Sequence, residues 1–189
     1  RDRGLTLGEE SEMTAVDETY SLKNIKKSTV HYVANRVRVP FVKEGKTVFD
    51  VEFSVGNNDV AFRYNLHRAG EPRCCVVESE ATGFRMADGT TTFLCPQSGA
   101  MGGFARTTPS YETPYTVDDA MGKNGFGEGY SFPCLFRNGD KGWVLISETG
   151  VDSYYCASRL MGAADGLYTI GFPQQAEFNG NGTAAPGVT

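Results

Sequence analysis

Histidine and tryptophan are scarce in this chain, whose 189 residues hold two His, His31 and His67, and one Trp, Trp143. With so few imidazoles and no Cys-x-x-Cys spacing, the sequence argues against a zinc site and against a histidine-based catalytic triad. His31 lies in an alternating run and His67 on the polar side of another, positions that suit surface or packing roles. No Gly-x-Ser-x-Gly, Walker loop or Rossmann glycine pattern occurs. Gly125-Phe-Gly-Glu-Gly129 is glycine-rich, yet it does not lead clearly from a strand into a helix, which speaks against a phosphate cradle. The net charge of −5 carries no basic stripe, so nucleic acid and acidic membranes are poor partners. No apolar run approaches the roughly 20 residues of a membrane-spanning helix, and no segment shows a sustained apolar stripe at helical spacing.

Five cysteines are present, Cys74, Cys75, Cys95, Cys134 and Cys156. An odd number leaves at least one unpaired within the chain, and the simplest reading is buried thiols acting as small apolar groups. Their usage does not fix a redox compartment. The length is that of one domain, or part of one, and allows a sizeable core. With 12 Phe, nine Tyr and 23 Gly, the composition points to an all-β chain. The chain opens Arg-Asp-Arg and closes on a polar, linker-like tail over residues 179–189, so both ends read as cuts inside a longer protein.

Residues 1–19 are polar and weakly patterned, and strand character begins at Tyr20. From Lys46 to Val55, Val48, Asp50, Glu52 and Ser54 alternate with Phe49, Val51, Phe53 and Val55. After the turn signal Asn57-Asn58-Asp59, Val60, Phe62, Tyr64 and Leu66 alternate with Ala61, Arg63, Asn65 and His67. Two such runs across a short polar connection predict a β-hairpin. Further strands are predicted over 29–39, 73–79, 82–86, 131–137, 142–148, 152–157 and 166–171. Many strands with short Gly/Asn turns imply a β-sandwich or an open sheet stack.

Residues 96–131 form a long Gly/Pro-rich loop by this reading, with too many aromatics for a solvated linker. Asp118, Asp119, Asn124 and Glu128 supply oxygen ligands there, although their spacing does not match the EF-hand pattern, and a solvated turn competes with a calcium loop. Within Pro109-Ser-Tyr-Glu-Thr-Pro-Tyr115, two prolines bracket one carboxylate, Glu112. They lower the entropic cost of holding it in place. Tyr111 and Tyr115 flank it, suited either to packing the loop or to walling a sugar ring. A hard carboxylate in a stiffened loop suits an oxygen-rich Ca²⁺ site completed by other residues; an exposed Glu in a rigid turn is the plainer alternative.

Five stretches in order carry a resemblance: Asn58-Asp-Val-Ala-Phe-Arg-Tyr64, Glu80-Ala-Thr-Gly-Phe84, Pro109-Ser-Tyr-Glu-Thr-Pro-Tyr115, Phe132-Pro-Cys-Leu-Phe136 and Trp143-Val-Leu-Ile-Ser-Glu-Thr149. Together they resemble the N-terminal domain of glycoside hydrolase family 97, which includes bacterial α-glucosidases and α-galactosidases of the starch-utilisation type. The adjacent Cys74-Cys75 pair and the glycine-rich 99–103 stretch lie outside that pattern.

The resemblance implies an all-β supersandwich of two large, mainly antiparallel sheets, here a truncated version forming a single domain over 1–189. It implies a non-catalytic domain packed on a catalytic (β/α)₈ barrel of the same polypeptide, lending a loop to its active site. The parent would be a calcium-dependent, exo-acting hydrolase of oligosaccharides or α-glycosides, periplasmic or at the surface of a Gram-negative bacterium. Glu112 would contribute to the Ca²⁺ of the intact enzyme, with Tyr111 and Tyr115 toward substrate and no cofactor in the isolated domain. Two other readings stand beside it. A free-standing carbohydrate-binding or adhesion module would expose aromatics on a flat face, whereas Trp143 lies in a strand-like apolar run that suits a core. A mutarotase-like enzyme would need its own acid and base, and the scarcity of His argues against the usual version.

Overall fold

The computed structural model describes residues 3–67, 77, 79–97, 113–152, 158–162 and 165–172. It divides into two compact units, Arg1–Arg73 and Cys74–Thr189. Each unit is built on one antiparallel sheet, and the described residues contain no helix, so the all-β class read from composition holds. In particular, no helix among them is long and apolar enough to cross a membrane.

Sheet 1 contains β1 (Thr6–Leu7), β2 (Thr14–Ser21), β3 (Thr29–Lys43), β4 (Lys46–Val55) and β5 (Val60–Leu66). The long β3 is its organiser, pairing with β1 near its C-terminal end, with β2 over Thr29–Arg36, and with β4 on the other side. The predicted hairpin is β4–β5, paired from Phe49↔Leu66 to Val55↔Val60 and closed by Gly56 N–H donating to the Asp59 carbonyl at 2.9 Å. Its period-two alternation puts aromatics on one face. Phe41 stacks on Phe49 at 4.7 Å, and Phe49 and Phe62 each meet Tyr64 edge-on at 6.0 and 6.1 Å. Such cross-strand aromatic contacts fix register as well as adding apolar burial. The polar residues of the same strands necessarily share the opposite face.

Strands β1 and β2 lie in the stretch read as weakly patterned. β2 is exposed along nearly all its length, with Val16 its one buried residue, so it lacks the apolar alternation that marks a half-buried strand.

Sheet 2 contains β6 (Gly83–Arg85), β7 (Thr91–Pro96), β8 (Asp119–Ala120), β9 (Tyr130–Arg137), β10 (Trp143–Ile146), β11 (Arg159–Gly162) and β12 (Leu167–Gly171). The order is β6-β12-β11-β9-β7-β8, and β10 also pairs with β9. Its core gathers Leu94, Tyr130, Cys134, Phe136, Ile146, Leu160 and Tyr168. Phe136 and Tyr168 meet edge-on at 5.0 Å. Burying each of the large apolar side chains there contributes about 1.5–3 kcal/mol. Cys95 and Cys134 are buried thiols outside any disulfide, as the composition suggested for the cysteines; Cys74, Cys75 and Cys156 lie outside the described residues.

Trp143 departs from its expected core position. It is 56% exposed on β10, 5.3 Å from Phe93 between ring centroids and 5.9 Å from the Arg137 guanidinium. The apolar run suggested burial on both sides, but β10 buries Ile146 alone and leaves Trp143, Val144 and Leu145 open.

Candidate functional site

Glu112 and Tyr111 lie outside the described residues; the chain becomes describable at Thr113, the next residue after the carboxylate. From there it is held tightly. The Thr113 hydroxyl donates to the Pro96 carbonyl, and the Cys95 thiol donates to the Thr113 carbonyl at 3.6 Å. Thr116 N–H donates to the Leu94 carbonyl at 2.7 Å, while its hydroxyl accepts from Leu94 N–H at 2.9 Å. Gln97, where the chain leaves β7, is tied through its N–H to the Gly129 carbonyl at 2.8 Å. Residues 98–112 are therefore bounded by two fixed points at the same end of β7. Tyr115 stands 56% exposed just beyond, available to a partner or a ligand.

The stretch read as one long loop is thus partly ordered sheet. β8 pairs with Thr91 and Thr92 of β7, and the turn that follows is knitted by side chains. Asn124 accepts from Gly162 N–H at 3.0 Å and donates to the Gly127 carbonyl at 3.2 Å. Tyr130 and Tyr168 hydroxyls accept from Gly125 and Gly122 N–H at 2.9 and 3.3 Å. Gly129 is required where it stands: its φ is +81°, and a Cβ there would lie 2.6 Å from the Leu160 carbonyl oxygen.

Those oxygen-bearing residues do not converge on a common point. Asp118 pairs with Arg137 at 2.5 Å, Asp119 with Lys123 at 2.6 Å, and Glu128 with Arg159 at 3.1 Å. Lys123 holds the Asp119 carboxyl below its usual range, against a smaller opposing effect of burial. Each of these acids already has a cation beside it. Among the described residues, no group of three His, Cys, Asp or Glu is arranged to hold a metal. A calcium site involving Glu112 would need ligands from elsewhere.

Arg159 was not singled out from sequence. Only 3% exposed, it donates to Glu128 at 3.1 Å and to the Phe172 carbonyl at 3.2 Å, with Gln97 Oε1 at 3.4 Å. An arginine opening a strand with no alternation carries no local signal of this. Glu148 is a second such group. It accepts from the Ser158 hydroxyl, and burial with the like charge of Glu80 pushes its carboxyl above the ordinary range, against the pull of Ser158.

The second concentration of charge lies on the polar face of sheet 1. Asp50 and Glu52 on β4 are only 3% and 7% exposed. Asp50 receives Asn65 Nδ2 at 2.8 Å, His67 Nε2 at 2.5 Å and Arg38 Nε at 3.2 Å. Glu52 receives Arg38 and Arg63, each at 2.8 Å. Burial pushes the Asp50 carboxyl upward, yet His67, Asn65 and Arg38 together bring it below its usual value. For Glu52 the Arg38 hydrogen bond leads and outweighs burial, also lowering the carboxyl. His67 thus packs against a buried acid. His31 makes an exposed 2.7 Å contact with Asp17. Both have the surface or packing roles their positions implied.

With this geometry in view, comparison with known proteins is decisive for the family. The model of the glycosyl-hydrolase 97 N-terminal family matches residues 2–183. The chain belongs to that family. Among solved structures, a β-arabinopyranosidase is 51% identical, with a TM-score of 0.85 over 96% of this chain and 29% of its own. A glycoside hydrolase family 97 enzyme from Pseudoalteromonas sp. strain K8, solved with panose, is 19% identical at a TM-score of 0.70. That likeness covers 89% of this chain and 24% of that one. The same enzyme solved with acarbose gives the same identity and TM-score. This family chain thus spans under a third of the length of each of these structures. No curated protein matches it.

Proposed function

We propose that this chain is the non-catalytic N-terminal domain of a glycoside hydrolase acting on β-arabinopyranosides. It packs on a catalytic barrel of the same polypeptide and lends Glu112 to a calcium site at the barrel's mouth. The observation that carries the sugar assignment is the 51% identity to a β-arabinopyranosidase across 96% of the chain. The panose- and acarbose-bound neighbours, at 19% identity, bear on the fold and not on the sugar. An arabinopyranoside is therefore favoured over the α-glucosides and α-galactosides that the family resemblance first implies.

In this reading the chemistry belongs to two carboxylates of the barrel, whose separation sets the stereochemical outcome. Calcium, when bound, fixes sugar hydroxyls and neighbouring carboxylates. This chain's part is mechanical and electrostatic. Pro109 and Pro114 stiffen the segment, and Thr113 and Thr116 fix its end against β7, so Glu112 is presented at low entropic cost. Tyr115, three residues further along the chain, supplies an exposed ring. The test uses the intact polypeptide with a 4-nitrophenyl β-arabinopyranoside and titrated calcium. Glu112→Gln and Glu112→Ala should fold normally, turn over more slowly and need more calcium. Unchanged turnover and calcium dependence would remove Glu112 from the site. A wild-type enzyme that cleaves α-glucosides but not the arabinopyranoside would overturn the sugar assignment.

A further inference from the structure

Sheet 2 keeps its core on one face, and a second, uncovered set of apolar side chains stands on the other. Thr91, Arg137 and Trp143 are registered in one row across β7, β9 and β10, and Phe93, Leu135 and Leu145 in the next. They alternate along their strands with the core residues Leu94, Cys134, Phe136 and Ile146, so they share the face turned away from that core. Trp143 is 56% exposed and Leu145 62%, with Phe93 half-buried against the indole.

The charges on this face are already matched to each other. The Asp118 carboxylate accepts from the Thr91 hydroxyl and from the Arg137 guanidinium, each at 2.5 Å, and the guanidinium lies 5.9 Å from the Trp143 ring. What remains open is therefore apolar, an indole with a leucine beside it on the same side of β10. Exposed apolar residues scattered singly are ordinary on a protein surface. This pair is different, because the chain's sole tryptophan is held in place by a phenylalanine and an arginine. Aromatic side chains fixed by their neighbours in this way dominate the energetics of protein contacts.

Two observations bear on what covers it. The chain spans 29% of the β-arabinopyranosidase to which it is 51% identical, so most of an enzyme of that kind lies outside these residues. Asp118, which joins the first row, belongs to the same segment as Thr113 and Thr116, anchored along β7 and leading on from Glu112. A body that receives Glu112 is brought against the face to which that segment is tied. We propose that the Trp143 face docks on an apolar patch of the catalytic barrel of the same polypeptide, with Trp143 as its anchor. The proposal rests on the reading of this chain as the barrel-packing domain of a larger glycosidase; the identity of the sugar does not enter it.

Hydroxyl-radical footprinting of the intact polypeptide, read residue by residue by mass spectrometry, tests this. Docked, Trp143 and Leu145 should oxidise about tenfold more slowly in the native protein than in urea, as desolvated anchors do. Leu145→Glu should restore most of the Trp143 reactivity, because a carboxylate in an apolar contact disfavours the docked state about tenfold or more. The protection should persist at dilutions where light scattering shows a monomer. Protection lost on dilution would assign the face to a second copy and overturn the barrel as its partner. Protection that appears only with an arabinopyranose-bearing polysaccharide would make the face a sugar platform and overturn docking as well. Ready oxidation of Trp143 in an enzyme that still cleaves the β-arabinopyranoside would overturn the docking face and leave the proposed activity standing. Protected Trp143 in an enzyme without that activity would support docking and overturn the sugar assignment.

Discussion

Thr116 and Leu94 exchange two hydrogen bonds, one from each backbone N–H, although only one of them is to a carbonyl. The Thr116 hydroxyl stands in for a backbone acceptor and continues the pairing of β7 beyond its regular ladder. Leu94 is fully buried, so its N–H has no recourse to water. Thr116→Val should therefore cost about 1–3 kcal/mol of stability, and Thr116→Ser should recover most of it. Urea denaturation midpoints of the two variants check this. Equal midpoints would mean that the hydroxyl is dispensable at the anchor.

Acid should loosen sheet 1. Asp50 and Glu52 both sit below their ordinary values in the folded chain, so the fold binds fewer protons than the unfolded chain as the pH falls. Their contribution is complete above the ordinary carboxylate range, roughly pH 4–4.5, and is lost as pH drops through the lowered folded values. Melting temperature against pH should fall below that range, and Asp50→Asn with Glu52→Gln should flatten the fall. A double variant with the wild-type slope would show that other carboxylates govern the acid limb.

Glu148 should behave in the opposite sense. Its carboxyl is raised, so the folded chain holds that proton longer, and stability declines as pH rises from the unfolded value through the folded one. At neutral pH the ionised group is a liability beside Glu80. Glu148→Gln keeps an acceptor for the Ser158 hydroxyl and removes the charge. It should raise the melting temperature at pH 7 by up to about 3 °C, with less benefit at pH 4. A lower melting temperature at pH 7 would show that the carboxylate is needed there.

Cys134 should be inert to alkylation in the folded chain. Burial pushes its thiol up to about 12, and the side chain has no exposed surface. Iodoacetamide at pH 8, followed by site-resolved mass spectrometry, should label Cys134 at a rate set by unfolding. Labelling that outpaces global unfolding would reveal local opening of β9.

What the sequence disclosed divides along the same physical line. The β4–β5 hairpin was legible because one face is apolar and the other charged, and its polar set, including His67, meets on the side the alternation assigns. β7 was not foreseen, since Thr91-Thr-Phe-Leu-Cys-Pro96 is buried over most of its length and shows no clean period. β11 opens on a buried arginine, which reads as surface until Glu128 and Phe172 are found beside it. Trp143 misled because an apolar run was taken to mean burial, while β10 keeps three of its four residues open. At the candidate site, proline spacing pointed to a stiffened segment, but the threonine anchors join residues far apart in sequence and leave no local trace.

The two fixed points at Gln97 and Thr113 have a consequence for how such a domain diversifies. Chain that departs and returns at one spot on a strand can grow, shrink or change composition without disturbing the register of the sheet. Closure entropy rises only slowly with length, by about 0.6 kcal/mol per doubling. Changes in the chain between those anchors therefore need not disturb the pairing of β7 with β9.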